Sequence, residues 1–281
     1  MVGISVRDSA AMMDAISGPE LTSIYHAPPP ERPFAEEVKR EPGRLRIAFT
    51  DVSPYGDAID AEVAAAVRDV AALLDKLGHH VEQRAPKLPA DPAIVLQNII
   101  GAHTALTVRQ TEQRFNRVMT EEDYEHLTLA MAHNAKNTSA TDYVAAQFAA
   151  YLISRALSEF MASCDVFFAP TLCAPPVRLG ELNAMASDLS HIAPALRRYM
   201  PGTSMFNISG QPAMSVPLAW SEAGLPIGMM FASRFGDEGT LFRFRHNSSR
   251  RGLGRLSSRR SAPKSLLTCP FSGHGLDKTQ P

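Results

Sequence analysis

Hydrophobic residues at helical spacing open the chain. Val6, Ala10, Met13 and Ile16 recur three or four positions apart within "SVRDSAAMMDAI", and this pattern predicts an amphipathic helix. The pair Gly18-Pro19 that follows is typical of a helix end. Residues 19–43 are rich in proline and include "APPPERP", which predicts an extended connector before the next element.

A strand, a helix and a second strand are predicted next. "LRIAFT" at 45–50 is a short apolar run of strand-forming residues, and the turn-like "DVSPYGD" follows it. A helical pattern then runs from Asp57 to Leu77, where Gly78 suits a left-handed cap and "HVEQR" can begin another strand. This order favours a βαβ unit and a parallel or mixed sheet.

The remaining apolar runs complete an α/β pattern. Residues 92–163 are predicted to be mostly helical, with "TEED" at 120–123 as a capping-box helix start and "TSATDYVAAQFAAYLISRALSEFMA" as a long amphipathic helix. "CDVFFAPT" predicts a buried strand that ends near Pro170. "QPAMSVPLAW" and "LPIGMMFAS" predict two strands joined by the turn residues of "SEAGLP". We therefore expect a mixed β-sheet covered by α-helices.

Composition fits a globular protein of the reducing cytoplasm. The 281 residues are 45% hydrophobic and 20% charged, enough for one large domain or two small ones. The three cysteines, Cys164, Cys173 and Cys269, form no C-x-x-C pair and cannot make a disulfide framework. Arg7, Asp8 and Asp14 would place charges inside the apolar core that a signal peptide requires. No run reaches the roughly 18 to 20 apolar residues of a membrane span. We expect a soluble, cytoplasmic chain without a membrane partner.

The net charge of −1 hides two unlike regions. Residues 241–281 hold nine Lys or Arg against one acidic residue, Asp277, whereas the first 240 residues hold 19 basic and 28 acidic side chains. An arginine-rich run of this kind is typical of a nucleic-acid-binding arm, although beyond Arg245 no Phe, Tyr or Trp is interleaved with its arginines. Nucleic-acid binding is therefore one open alternative.

Motifs for catalysis or metal binding are missing from the sequence. It contains no G-x-S-x-G elbow, no H-E-x-x-H pair, no P-loop, and no Gly-Gly dipeptide among its 17 glycines. His79-His80 follows a predicted helix cap, and His126 and His133 lack a third ligand nearby, so we interpret these histidines as core or surface residues. A serine-lysine hydrolase would have to use Lys39, Lys76, Lys87 or Lys136, and all four have helical or loop contexts without a serine- and glycine-rich turn. We predict no catalytic residue, metal ion or cofactor in this chain.

Four stretches carry a family resemblance. "SVRDSAAMMDAISGPE", "PGRLRIAFT", "CDVFFAPTLCAPP" and "FNISGQPAMSVPLAWSEAGLPIGMMFASRFGDEGTLF" resemble the downstream half of amidase signature enzymes, over residues 2–242. The connector "GPELTSIYHAPPPERPFAEEVKREPGRLRIAF" is more similar to bacterial amidases grouped with 6-aminohexanoate cyclic dimer hydrolase than to tRNA-dependent amidotransferase subunits.

The resemblance implies hydrolysis of a carbon–nitrogen amide bond. In this family a serine nucleophile is activated by a lysine through a second serine in a cis peptide, and all three lie upstream of the helix that opens this sequence. No position here matches them, so we expect residues 1–242 to be the C-terminal portion of an amidase domain that is inactive alone. A small-molecule amide would be the substrate of the intact enzyme, and a homodimer is conceivable. The alternatives are a catalytically empty binding or structural member, and the nucleic-acid binder named above.

Two segments supply candidate substrate-binding residues. Pro170 and Thr171 end a predicted strand, where ligands of α/β sheets tend to bind. The loop "TSMFNISGQP" adds Thr203, Phe206, Asn207 and Gly210. For this loop, a backbone role of Gly210, a loop-stabilising role of Asn207 and a core role of Phe206 are the competing interpretations.

One departure from the glutamine-using relatives concerns the substrate. The amidotransferases of the family that use glutamine have a similar loop with an acidic residue seven positions before its asparagine. In this chain the asparagine is Asn207, and the earlier position is Met200. We therefore expect an amide less polar than glutamine.

The end of the chain departs from the family pattern. Asp237 is a predicted N-cap of a closing helix, but the apolar spacing of that helix is lost after Phe242. Permitted codons for Arg245 to Gly254, read two bases later, would encode Pro-Gln-Leu-Glu-Gln-Ala-Arg-Pro-Trp, which resembles the family helix end. We therefore predict a disordered basic tail over 243–281 that arose by a frame shift, and the codons themselves test this.

Overall fold

The computed structural model describes residues 2–3, 5–23, 25–55, 59–200 and 202–251, with side chains up to 244. The described helices are α1 (Val6–Ile16), α2 (Phe34–Glu37), α3 (Ala61–Lys76), α4 (Pro92–Phe115), α5 (His126–Asn134), α6 (Ala140–Met161), α7 (Ile192–Tyr199), α8 (Ser204–Ser209) and α9 (Glu238–Arg251). The described strands are β1 (Arg46–Phe49), β2 (His80–Gln83), β3 (Val166–Pro170), β4 (Ala213–Trp220) and β5 (Pro226–Ala232).

The strands form one mixed sheet in the order β2-β1-β3-β5-β4. β1 pairs in parallel with both β2 and β3, and α3 is the crossover between β1 and β2. β5 pairs antiparallel with β3 on one side and with β4 on the other, so β4 and β5 are the predicted hairpin. The expected mixed α/β architecture and its βαβ unit are confirmed.

Alternating side chains of the strands build two cores. On one face, Phe168 of β3 and Met229 of β5 pack with apolar residues of α3 and α9. On the other face, Phe167 and Met230 pack with residues of α4, α6 and α8. Since successive residues of a strand point to opposite faces, a strand covered on both sides reads as the continuous apolar run seen in "VFFAP".

Two predicted helix starts differ from the structure. α3 begins at Ala61 because the Asp60 side chain accepts the backbone N–H groups of Glu62 and Val63; the predicted start at Asp57 lies outside the described residues. "TEED" forms a turn rather than a helix, in which the Thr120 N–H donates to the Asp123 carboxylate, and the next helix begins at His126. The capping box that does start a helix is Ser139 with Asp142, at the beginning of α6.

The closing helix α9 continues past the predicted boundary at Phe242. Asp237 caps it as expected, since its carboxylate accepts the Thr240 N–H at 3.2 Å. The helix is described to Arg251, and the side chain of Phe244 is only 2% exposed and packs against Phe231 with tilted rings whose centroids are 4.9 Å apart. The core contact of Phe244 thus lies within the segment predicted as a basic tail, and the disorder of that tail stays a prediction. Residues 252–281, which make up most of it, lie outside the described part of the chain.

A small third core joins the N-terminal helices to α9. Phe34 of α2 contacts Phe242, with ring centroids 5.3 Å apart, and Ala10 and Val38 complete the cluster. The buried Glu37 carboxylate accepts hydrogen bonds from Arg32 at 2.6 Å and from Arg243 at 2.7 Å. None of the helices in the described ranges is long and apolar enough to cross a membrane.

Candidate functional site

A crevice opens at the carboxyl ends of the three parallel strands. We call it the strand-end crevice; it holds a cavity of about 20 Å³, room for roughly one water molecule. Its lining comes from the segments that follow β1 and β2, from β3, and from α8 and the turn before it: Thr50, Val52, Ser53, Pro54, Ala85, Pro86, Phe167, Ala169, Pro170, Cys173, Gly202 and Met205. The position agrees with the general placement of ligands beyond the carboxyl ends of strands.

Pro170 and Thr171 lie at this end of the sheet. Pro170 lines the crevice, and the Thr171 N–H donates to the Gly228 carbonyl at 2.9 Å, which extends the pairing of β3 with β5 by one residue. The Thr171 hydroxyl lies 2.6 Å from the hydroxyl of Ser215 on β4. The strand between them carries Gly228, where an added Cβ would come within 2.9 Å of the Ser215 Oγ. The absence of a side chain at Gly228 therefore lets two hydroxyls meet across a strand.

The four candidates around α8 take different positions. Thr203 precedes the helix and is half-buried, and Asn207 is exposed on it. Phe206 is 5% exposed and packs against Phe167 with ring centroids 6.3 Å apart, which is a core position. Gly210 ends the helix with φ of 68°, a left-handed conformation that favours glycine, and its N–H donates to the Phe206 carbonyl. Contact of these residues with a substrate stays a prediction.

Three residues from distant segments meet close to the crevice. The Arg197 guanidinium on α7 lies 3.9 Å from the ring centroid of Tyr55 and 2.5 Å from the carboxylate of Asp91, the N-cap residue of α4. Burial raises the pKa of Tyr55. Burial would also raise the pKa of Asp91, but the hydrogen bonds from Arg197 and from the Ala93 N–H outweigh it and the pKa lies below its usual value. The cluster joins the loop after β1, α4 and α7 on one side of the crevice.

Sequence reasoning missed Ser215 and this cluster. Ser215 lies 44 positions from Thr171, and Asp91 lies 106 positions from Arg197. Neither pair has a local sequence signal, because only the sheet topology and the path of α7 bring them together. Among the described residues, no group of three or more His, Cys, Asp or Glu side chains is arranged to hold a metal ion.

Known proteins similar to this chain include amidases. A family model described as Amidase matches residues 2–242. The 6-aminohexanoate-cyclic-dimer hydrolase of Pseudomonas sp. (strain NK87) is 32% identical over 246 residues, which cover 84% of this chain and 50% of that protein. A putative amidase, AmiC, of Mycobacterium leprae (strain TN) is 30% identical over 243 residues, covering 84% of this chain and 49% of the relative.

Solved structures agree in fold. A structure of 6-aminohexanoate cyclic dimer hydrolase superposes with a TM-score of 0.78 at 30% identity, covering 90% of this chain and 53% of the other. A bacterial aryl acylamidase superposes with a TM-score of 0.73 at 18% identity, a likeness of fold alone.

This chain corresponds to part of each relative. The chain spans about half the length of the relatives it matches. The family model matches residues 2–242, and the mixed sheet with helices on both faces agrees with the fold of the solved relatives. The chain belongs to the amidase family, in the amidase signature group.

Proposed function

We propose that this chain provides the C-terminal portion of an enzyme that hydrolyses amide bonds. The observation that carries the proposal is the family match over residues 2–242, together with a crevice at the carboxyl ends of β1, β2 and β3. The family resemblance supplies the reaction: a serine attacks the amide carbon, the amine leaves, and water releases the acyl group. No residue of this chain matches the serines or the lysine, so it would contribute the scaffold and part of the substrate site.

The proposed substrate is a small amide of low polarity. The lining of the strand-end crevice is mostly apolar, with Val52, Ala169 and Met205 among its side chains. Met200 stands where the glutamine-using relatives have an acidic residue. The Pseudomonas relative is named for a cyclic dimer of 6-aminohexanoate, a largely apolar amide, and we extend this substrate class to the present chain as part of the proposal.

Thr171 and Asn207 are the proposed polar contacts of the substrate. The Thr171 hydroxyl has one partner in Ser215, which leaves further hydrogen-bonding capacity, and the Asn207 amide is exposed. Pro170 and Thr203 would shape the neighbouring surface. Phe206 and Gly210 would act indirectly, by packing under α8 and by ending it.

A chimera tests the proposal. Residues 2–242 would replace the matched region of the Pseudomonas hydrolase, and hydrolysis of 6-aminohexanoate cyclic dimer and of simple aryl amides would be followed by release of the amine. We expect hydrolysis by the chimera and none by the isolated 281-residue chain. In the chimera, Thr171→Val should lower kcat/KM roughly tenfold by removal of one hydrogen bond. Ser158→Ala, on the exposed side of α6, should leave it unchanged.

Either of two results would oppose this function. One is a folded chimera that hydrolyses none of these amides. The other is amide hydrolysis by the isolated chain at the rate of the chimera, because the chain would then hold a catalytic centre of its own.

The alternatives have no specific observation in their favour. A catalytically empty binding partner would share the family fold but would give an inactive chimera. Nucleic-acid binding depends on the arginines of the basic segment, of which Arg255, Arg259 and Arg260 lie outside the described residues. Its signature would be an affinity that falls steeply with salt.

Self-association and cytoplasmic location are further parts of the proposal. The sequence-based expectation of a homodimer is tested by light scattering of the purified chain. Location is tested by fractionation of the source cells, and the reduced state of Cys164 and Cys173 would agree with a cytoplasmic site.

A further inference from the structure

The middle of α6 exposes an apolar stripe. Val144, Phe148 and Tyr151 recur four and three positions apart, so they lie on one face of the helix, and they are 60%, 62% and 59% exposed. The rings of Phe148 and Tyr151 stack on each other with centroids 6.2 Å apart. Residues 143–154 contain no charged side chain. A surface helix usually carries charged residues on its outer face, so this stripe indicates a surface that meets another molecule.

A groove runs beside the stripe, between α6 and α4. We call it the alanine groove, and its volume is about 370 Å³. Small and apolar side chains form most of its wall: Ala145, Ala146 and Ala149 of α6, with Ile94, Val95 and Asn98 of α4. Because the three alanines end at Cβ, they leave the space between the helices open. The groove is therefore a recess that can receive an aromatic side chain from outside.

The stripe and the groove lie at the same level along α6. The stripe spans positions 144–151, and the α6 wall of the groove spans positions 142–149. Since each residue turns an α-helix by about 100°, Ala145 and Ala149 lie roughly 60 to 100° around the helix axis from Phe148. A two-fold axis that passes between a protruding ring and a recess brings the ring of each copy to the recess of the other. This surface is therefore self-complementary.

We propose that the α6 face, which comprises the stripe and the alanine groove, binds a second copy of this chain about a two-fold axis. In this arrangement the two α6 helices run antiparallel, and Phe148 of each copy enters the alanine groove of the other. The inference extends the expected self-association to a named surface, and it does not depend on amide hydrolysis.

The exposed area agrees with this occupant. Ile94 on the groove rim is exposed to the same degree as the three side chains of the stripe. Since a whole aromatic side chain offers about 150 to 250 Å², these four side chains together present roughly 400 Å² of apolar surface per copy. Two copies would bury about twice this area and the groove walls with it, which approaches the ~1,200 Å² of the smaller stable interfaces. A different polypeptide would have to supply a matching ring and recess, whereas a second copy already carries both.

The charged residues at the two ends of the stripe fit antiparallel helices. Arg155 is exposed one turn beyond Tyr151 and pairs with Glu159 in its own helix, and Asp142 lies in the first turn of α6. With Phe148 at the centre, Arg155 of one copy lies at the level of position 141 of the other, next to Asp142. Opposite charges therefore approach each other at both ends of the interface, whereas parallel helices would bring like charges together.

Light scattering of the full 281-residue chain tests the interface. We expect a mass of twice 30.5 kDa that falls towards that of one chain on dilution. Hydroxyl-radical labelling, read by mass spectrometry, then measures the exposure of single side chains. Labelling of Phe148 and Tyr151 should decrease as the dimer forms. Labelling of Phe115, a phenylalanine of similar exposure at the end of α4, should stay constant.

Charge substitutions locate the contact. Phe148→Glu should raise the Kd of the dimer roughly thirtyfold or more, because a charge replaces an aromatic ring at the centre of the interface in both copies. Ala145→Glu should weaken the dimer from the groove side while the stripe is unaltered. Phe115→Glu is the matched control and should dimerise like the unaltered chain. Near-equal melting temperatures of the diluted, monomeric variants verify that these exposed substitutions leave the fold intact.

Four results would overturn the proposal. Three are a monomer at every concentration, a dimer that Phe148→Glu and Phe115→Glu weaken equally, and a dimer in which labelling of Phe148 is unchanged. The fourth is a monomeric chimera whose Phe148 is protected from labelling, because the part of the polypeptide outside the match would then cover the α6 face.

The proposed function has its own readout. An active chimera together with a monomeric 281-residue chain rejects the interface alone. A dimer through Phe148 together with an inactive chimera rejects the function alone.

Discussion

At the scale of single residues, the surroundings of His79 determine its role. His79 is 4% exposed, and its Nδ1 accepts the backbone N–H of Leu45 at 3.2 Å. The Nδ1 atom can accept only in the neutral ring, and burial lowers the pKa of His79. A histidine that looks like a candidate ligand in "LGHHVE" is therefore part of the core, as the sequence-based interpretation held.

The first prediction concerns pH. Because the pKa of His79 is lower in the folded than in the unfolded chain, its contribution to stability is fully present above the unfolded value of about 6.5 and is lost as pH falls through the folded value. We expect the free energy of unfolding in urea to decrease between pH 7.5 and pH 5. His79→Gln should reduce this decrease, and His80→Gln, at the exposed neighbour, should not.

The pH prediction has a clear contrary result. If His79→Gln and the unaltered chain lose equal stability on acidification, the acid sensitivity belongs to other groups. If the variant is too unstable for urea titration, hydrogen exchange of the Leu45 amide in the unaltered chain is the alternative measurement. The exchange rate of this amide at pH 5 should exceed the rate expected from the intrinsic effect of pH.

At the scale of elements, one buried carboxylate holds the first helices against the last. Glu37 on α2 is 3% exposed and receives hydrogen bonds from Arg32 and Arg243, whose side chains are 28% and 25% exposed. Burial would raise the pKa of Glu37, but the two arginines outweigh it and the pKa is lowered. Stability from this group is therefore present above about pH 4.5 and is lost as pH falls further.

The second prediction removes this charge. Glu37→Gln keeps the shape of the side chain and leaves both arginines without their carboxylate. Loss of one partner of a buried pair costs about 3 to 5 kcal/mol, and the partial exposure of both arginines places the expected loss nearer 2 to 3 kcal/mol. The matched control is Glu36→Gln, one position away and exposed. Urea titration measures both, and equal stability of the two variants would contradict the role of Glu37.

Elements were more predictable from the sequence than contacts. The βαβ unit, the long helix α6 and the hairpin have strong local patterns, so their types were correctly inferred. The helix start predicted at "TEED" was wrong because the hydrogen bonds of a helix cap also form in an isolated turn. Here the Thr120 N–H donates to the Asp123 carboxylate and the Glu122 N–H donates to the Thr120 hydroxyl. The meeting of Thr171 with Ser215, and of Arg197 with Tyr55, depends on topology and could not be read from spacing.

At the scale of the whole molecule, Phe244 extends the described core past the predicted boundary at Phe242. Leu241 and Phe244 are buried three positions apart on α9, and both belong to the core under α3. In "LFRFRHNSSRR" arginines lie on both sides of Phe244, so the apolar spacing of a helix is hard to recognise. The boundary was therefore predicted after Phe242. The frame-shift hypothesis remains a prediction, which codons incompatible with the second reading would reject.

The third prediction compares two chain ends. A chain that stops after Phe242 loses Arg243 and Phe244, and loss of a buried phenylalanine side chain costs about 3 to 5 kcal/mol. We expect it to melt at a clearly lower temperature than a chain that stops after Arg251. Phe244→Ala in the longer chain should account for most of the difference. Equal melting temperatures of the two truncations would show that the fold ends before Phe244.

The contact between Glu37 and Arg243 joins segments that are synthesised at different times. The two residues are 206 positions apart, so α2 is synthesised long before the helix that covers Phe34 and pairs with Glu37. At about 5 to 20 residues per second, a ribosome would need on the order of 10 to 40 seconds to make the intervening chain. During that interval the first two helices have an apolar cluster and a carboxylate without their final partners. The helices α1 and α2 are thus made well before α9 and are secured only when α9 has been made.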